Sequence, residues 1–129
     1  MAKVTTRPKV LALDMDGTLL EHEKYPRYGK PIPGWKEELE ALRQAGWKIA
    51  IWTCRTKEEY DAIREHLTKH EIPFDYINEN PHEGPSTSPK IYADVYVDDR
   101  CIKFNGDPNG MAAVILKNKR WFDRGAGDV

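Results

Sequence analysis

Cysteine is scarce: the 129 residues hold two, Cys54 and Cys101, in no Cys-x-x-Cys spacing. That excludes a disulfide framework and a cysteine-built structural zinc site, and both are read as free thiols that pack rather than react. Long apolar runs are also missing. The first, Val10 to Leu13, ends at Asp14 after four residues, where a secretory core needs at least ~7 and a membrane span ~20. Neither charge sign dominates: 20 Lys and Arg face 21 Asp and Glu, a net charge of -1, so the global basic field of a general nucleic-acid binder is absent. Together these absences predict a cytoplasmic globular protein, neither membrane-bound nor a general nucleic-acid binder, with 40% hydrophobic residues to build a core. The length falls below the ~150 residues usual for one domain, so residues 1–129 are expected to form a single domain.

What is present is an alternation of strand and helix patterns. Val10 to Leu13 reads as a buried parallel strand. Trp35, Leu39 and Leu42 mark one face of a helix ended by Gly46, and Trp47 to Thr53 reads as a second strand. Thr56 and Glu59 predict a capping box opening a helix that buries Tyr60, Ile63 and Leu67 and ends before Pro73. Phe74 to Ile77 predicts a third strand, Asn78 to Pro89 a loop, Ala93 to Val97 a fourth strand, and the apolar run Met111 to Leu116 a fifth. The expected fold is therefore α/β, a three-layer Rossmann-like domain with a mostly parallel sheet.

Ligands of open parallel sheets sit beyond the carboxyl ends of the strands. Three predicted strand ends carry suitable polar groups: Asp14 and Asp16, Thr53 and Arg55, Asp98 and Asp99. Asp14 and Asp16, at i and i+2, aim to one side of an extended backbone, and Gly17 lets the chain turn. With the first and fourth strands adjacent, four carboxylates converge, an arrangement too costly without a hard divalent cation. Magnesium fits, because it takes one or two carboxylates and shares its shell with substrate phosphate. The Thr53 hydroxyl and the Lys90 ammonium supply a phosphate site in a chain that lacks a glycine-rich phosphate loop. An EF-hand is ruled out, since Leu19 and Tyr25 stand where its Gly and Glu belong.

These pieces resemble the haloacid dehalogenase (HAD) superfamily of phosphohydrolases. Leu11-Ala12-Leu13-Asp14-Met15-Asp16-Gly17-Thr18-Leu19 matches its first motif, Ile49-Ala50-Ile51-Trp52-Thr53 its second, Lys90 its third and Val95-Tyr96-Val97-Asp98-Asp99 its fourth, in family order. The short span between Asp14 and Thr53 is similar to that of small capless members. The resemblance implies that Asp14 attacks phosphorus, that Asp16 serves as acid and then base, and that magnesium is held by the Asp14 side chain, the Asp16 backbone carbonyl and Asp98, with Asp99 beside them. The substrate implied is a phosphorylated small molecule, a nucleotide among the candidates. Rival readings are a catalytically silent phosphate- or metal-sensing module and a phosphotransferase, including polynucleotide 3′-phosphatase-like activity.

Four further residues are candidates for substrate contact. Arg27 and Tyr28 lie in the Glu21 to Pro33 loop, which combines charge with aromatic faces or simply shields the site. Arg55 and Arg100 either grip the leaving group or pair with the aspartates. After Asp99, three turn signals between Asn105 and Gly110 argue against an immediate helix. His66 and His70 are read as solvated, and Lys117, Lys119, Arg120, Trp121 and Arg124 as a solvated basic tail.

Overall fold

The computed structural model describes residues 7–83, 90–118 and 121–123. Strand β1, Val10–Asp14, is buried from Val10 to Leu13 and occupies an inner position of the sheet, as its unbroken apolar run requires. On one side it pairs with β2, Lys48–Trp52, and on the other with β4, Val95–Val97, while β3, Tyr76–Ile77, pairs with the far edge of β2. All pairings between these four strands are parallel, in the order β3-β2-β1-β4. The fold is thus α/β and Rossmann-like.

Helices α1, Trp35–Gln44, and α2, Tyr60–Lys69, connect successive parallel strands and cover one sheet face. Leu39 from α1 and Ile63 and Leu67 from α2 pack on Leu11, Leu13, Ile49, Ile51 and Ile77 in one apolar cluster. Gly46, at φ +94°, lets the chain leave α1 while Trp47 N–H still bonds the Leu42 carbonyl at 3.0 Å. The opposite sheet face carries Val10, Ala12, Ala50 and Ala93, shielded among the described residues by Trp52, Tyr76 and Ile91.

Three local expectations need correction. Met111–Lys117 is a helix, α3, and not a fifth strand; Gly110, left-handed at φ 85°, precedes it, and none of its residues is buried. A six-residue apolar run carries too little periodicity to separate the two structures. The third and fourth strands are shorter than the patterns suggest, since Asp75 and Asp94 turn their carboxylates onto the backbone N–H groups of Ile49 and Val10, each at 2.8 Å. Thr56 makes no side-chain cap, and Lys57–Glu59 is a 3-10 turn before α2. The residues from Asp98 to Gly110 do turn as read, with Asp98, Asn105 and Asp107 each accepting a backbone N–H two residues on.

Truncation should separate the two apolar runs. Ile51→Ala, at a fully buried position in β2, is expected to cost about 2–5 kcal/mol. Leu116→Ala, at a position 85% exposed, should fall within about 0.5 kcal/mol of the parent. Urea denaturation measures both, and a core-sized loss at Leu116 would contradict the helix placement.

Candidate active site

The sheet register builds the site. Asp14 pairs with Trp52 at the end of β1, which sets Thr53 one residue beyond, and Leu13 pairs with Val97, which sets Asp98 one residue beyond on the other flank. Past Asp14 the chain folds tightly: Leu20 N–H bonds the Met15 carbonyl and Gly17 N–H bonds the Leu20 carbonyl, both at 2.9 Å. Gly17 has φ +89°, and a Cβ there would stand 2.8 Å from Asp99 Oδ2 and 3.1 Å from Phe122 Cε1. Only glycine fits that conformation and that gap.

Three carboxylates converge, not four. Oxygens of Asp14, Asp98 and Asp99 lie within 4.8 Å of one another, each residue half-buried. Burial, with the negative charges of Asp98 and Asp99, pushes Asp14 up to about 7, against a lowering hydrogen bond that Thr18 Oγ1 donates to Asp14 Oδ2 at 2.9 Å. This donor set of hard oxygens, short of positive charge, fits a divalent cation, which would relieve the repulsion. The Asp98 carboxylate is oriented by the Arg100 N–H at 2.8 Å.

The fourth carboxylate is held elsewhere. Asp16 accepts from Arg55 Nε at 2.9 Å and from Nη2 at 3.0 Å, a bidentate pair. Arg55 is buried, and its other N–H groups reach Glu59 Oε1 at 2.9 Å, the Pro26 carbonyl at 3.0 Å and the Arg27 carbonyl at 2.7 Å. Burial alone would lower the guanidinium, yet the bonds to Asp16 and Glu59 outweigh it and hold the group above its ordinary value. The Tyr28 ring lies 4.1 Å from the guanidinium and the Tyr25 ring 5.2 Å, and both hydroxyls donate to Glu59 at 3.1 Å. Of the two roles open for Arg55, pairing with an aspartate is the one its contacts fill.

The remaining candidates are spread more widely. Thr53 is buried, and its hydroxyl oxygen accepts the Arg55 backbone N–H at 3.1 Å. Lys90 is exposed, its ammonium 5.8 Å from the Tyr96 ring; with Trp52, Asp98 and Cys101 it lines a cavity of about 300 Å³. Arg27 and Arg100 are exposed and Tyr28 is half-buried. The larger groove, about 660 Å³, is apolar and lies away from the aspartates, between α1 and the edge strand β4. Both cysteines are exposed, contrary to the packed role expected; partial burial and then Asp98 raise the Cys101 thiol, which keeps it protonated. His66 is not merely solvated, since its Nε2 bonds the Gly29 carbonyl at 2.9 Å. Lys119, Arg120 and Arg124 of the basic tail lie outside the described residues, as does the Gly84 to Pro89 part of the predicted loop.

Sequence reasoning missed two contributors. Asn78, at φ 52°, accepts Thr53 N–H and donates to the Thr53 carbonyl, both at 2.8 Å, and donates to Tyr60 Oη at 2.9 Å. Asn tolerates the left-handed region, and its place at the end of β3 was the available signal. Trp121 donates Nε1–H to the Gly17 carbonyl at 2.7 Å from 104 residues away, which no local pattern announces.

No protein-family model matches the chain. A solved structure, that of a conserved protein from Bacteroides thetaiotaomicron, is similar at a TM-score of 0.62 and 31% identity, over 90% of this chain and 96% of that one. A glucosyl-3-phosphoglycerate/mannosyl-3-phosphoglycerate phosphatase of Persephonella marina is 38% identical over 58 residues, 45% of this chain and 20% of that protein. The chain therefore spans about a fifth of that curated relative's length. The structural similarity supports the α/β fold, and the shorter match ties part of the chain to a phosphatase. The 58-residue match to a phosphatase is consistent with the resemblance of the motifs to HAD-like phosphohydrolases.

Replacing Arg55 tests the clamp. Arg55→Met leaves Asp16 and Glu59 without their cation and is expected to cost about 3 kcal/mol at pH 7, read by chemical denaturation. The Arg55 hydrogen bond holds Glu59 below its ordinary 4.5. Its contribution is therefore complete above that value and is lost as the pH falls through the depressed one, so the gap between parent and variant should narrow as the pH falls below 4.5. A gap unchanged by acid would dissociate Glu59 from the clamp.

Proposed function

We propose that this protein is a magnesium-dependent phosphomonoester hydrolase working through an aspartyl-phosphate on Asp14. The observation that carries the reading is the acidic trio at the ends of two neighbouring parallel strands, with Asp14 hydrogen-bonded to Thr18 and Asp16 aimed by Arg55. Magnesium would be held by Asp14, Asp98 and the Asp16 backbone carbonyl, with Asp99 beside them, and would supply charge neutralisation for the phosphoryl oxygens.

The residues divide the chemistry as follows. An Asp14 carboxylate oxygen attacks phosphorus as the bond to the leaving oxygen breaks, and Asp16, entering this step in its protonated form, gives that oxygen its proton and becomes a carboxylate. In the second half, Asp16 takes a proton from water as the water oxygen attacks phosphorus, the aspartyl bond breaks, and the Asp14 carboxylate and inorganic phosphate are released. Arg55 fixes the direction of the Asp16 carboxylate through both oxygens, so that the same group stays aligned for both transfers. Thr53 and Lys90 bind the phosphoryl oxygens.

Residues 1–129 are read as one HAD-like domain without a separate cap, the Glu21 to Pro33 loop standing in its place. That loop is fastened to the body by the Pro26 and Arg27 carbonyls, by Tyr25 and Tyr28 on Glu59, and by Gly29 on His66. Arg27, exposed on it, and Arg100, exposed past β4, are assigned to the leaving group of a phosphorylated small molecule or nucleotide. Among the described residues no helix is long and apolar enough to cross a membrane, and two exposed free thiols suit a reducing cytoplasm.

Hydrolysis of p-nitrophenyl phosphate, followed by a screen of phosphorylated sugars, nucleotides and 3′-phosphorylated oligonucleotides, tests the function. Asp14→Asn should abolish turnover with the circular dichroism spectrum unchanged; comparable rates in variant and parent would rule out the covalent route. Magnesium added to chelator-treated parent should raise its melting temperature, a linkage of about 2.7 kcal/mol at one hundred times Kd, and Asp98→Asn should lose most of that rise. Full activity in chelator would refute the metal assignment.

A further inference from the structure

Two successive carbonyls of the catalytic loop are each capped by an indole. The Thr18 carbonyl accepts Trp35 Nε1–H at 2.8 Å and the Gly17 carbonyl accepts Trp121 Nε1–H at 2.7 Å. The two donors differ in origin. Trp35 opens α1 and packs against the main apolar cluster, so it is fixed by the core. Trp121 is 49% exposed and arrives on the short turn Trp121–Asp123 near the chain's end. Its neighbour Phe122 stacks on His22 with centroids 4.4 Å apart and rings inclined by 14°, and its Cε1 lies 3.1 Å from where a Gly17 Cβ would stand. The turn thus grips both ends of the segment that follows Asp16.

Gly17 makes that grip consequential. A glycine at φ +89° can leave its conformation at little cost, and the peptide it shares with Thr18 leads straight to the hydroxyl bonded to Asp14. Its N–H is tied to the Leu20 carbonyl at 2.9 Å, but its carbonyl is held by the distant indole. Resting on the phosphatase reading, we propose that Trp121 is a positioning residue for the reaction, and that the turn carrying it is a strap that holds the Asp16-Gly17-Thr18 peptides in the arrangement that aims Asp14 and Asp16.

Trp121→Phe keeps the ring and removes the N–H donor. In magnesium-supplemented p-nitrophenyl phosphate assays its kcat should fall about tenfold, with KM within about twofold, as loss of one aligned hydrogen bond predicts. By hydrogen-exchange mass spectrometry on the full chain, amides of residues 15–22 should exchange faster while those of α1 and α2 stay as in the parent. An unchanged kcat in an active parent would overturn the positioning role and leave the phosphatase reading standing. Unchanged exchange at residues 15–22, or acceleration spread evenly over the chain, would overturn the strap. A parent inactive on every phosphate ester, with exchange still accelerated locally in the variant, would end the phosphatase reading and keep the strap.

Discussion

A guanidinium has five N–H bonds in one plane, and Arg55 finds an acceptor for each: two on Asp16, one on Glu59 and one each on the Pro26 and Arg27 carbonyls. Those acceptors belong to the loop after β1, the turn before α2 and the Glu21 to Pro33 loop. One buried cation just past β2 therefore joins three segments, two of which, the loop after β1 and the Glu21 to Pro33 loop, also meet in the Leu20–Pro31 bridge. A buried charge is tolerated only when its partners are complete, so the positions of all three segments are tied to one another.

The clamp also partitions the negative charge. Asp16 is compensated by the protein, whereas Asp14, Asp98 and Asp99 are left facing one another, with Asp14 driven up to about 7. Of four neighbouring aspartates, three therefore present hard oxygens to a common point and the fourth points elsewhere with its direction set. The proposed metal-assisted attack with a separate proton carrier would need that division. Thr53 is set with similar care, its backbone N–H and carbonyl both bonded by Asn78.

The core was legible because hydrophobic period and burial are local consequences of side-chain type. The unbroken apolar run from Val10 to Leu13, the spacing of Leu39 and Leu42, and that of Ile63 and Leu67 each describe surface that must be covered, and the observed apolar clusters cover it. Where the pattern was short it failed: Met111 to Leu116 reads equally as buried strand or helix, and the left-handed Gly110 at its start sits before a helix.

The site divides along the same line. The sequence by itself determined that Asp14, Thr53 and Asp98 follow the ends of parallel strands, because an apolar run that breaks at a polar residue is a local pattern; that they are neighbours follows from the strand order β3-β2-β1-β4. Only the tertiary structure decided that Asp16 belongs to Arg55 instead of the acidic trio, that Glu59 is an ion-pair partner and not a cap, and that Trp121 closes onto Gly17. Two of those bonds join groups 39 and 104 residues apart, and the Arg55–Glu59 pair, at i and i+4, sits on the 3-10 turn before α2; each forms because a donor must find whatever acceptor the fold brings within reach, and spacing along the chain does not encode which one that is.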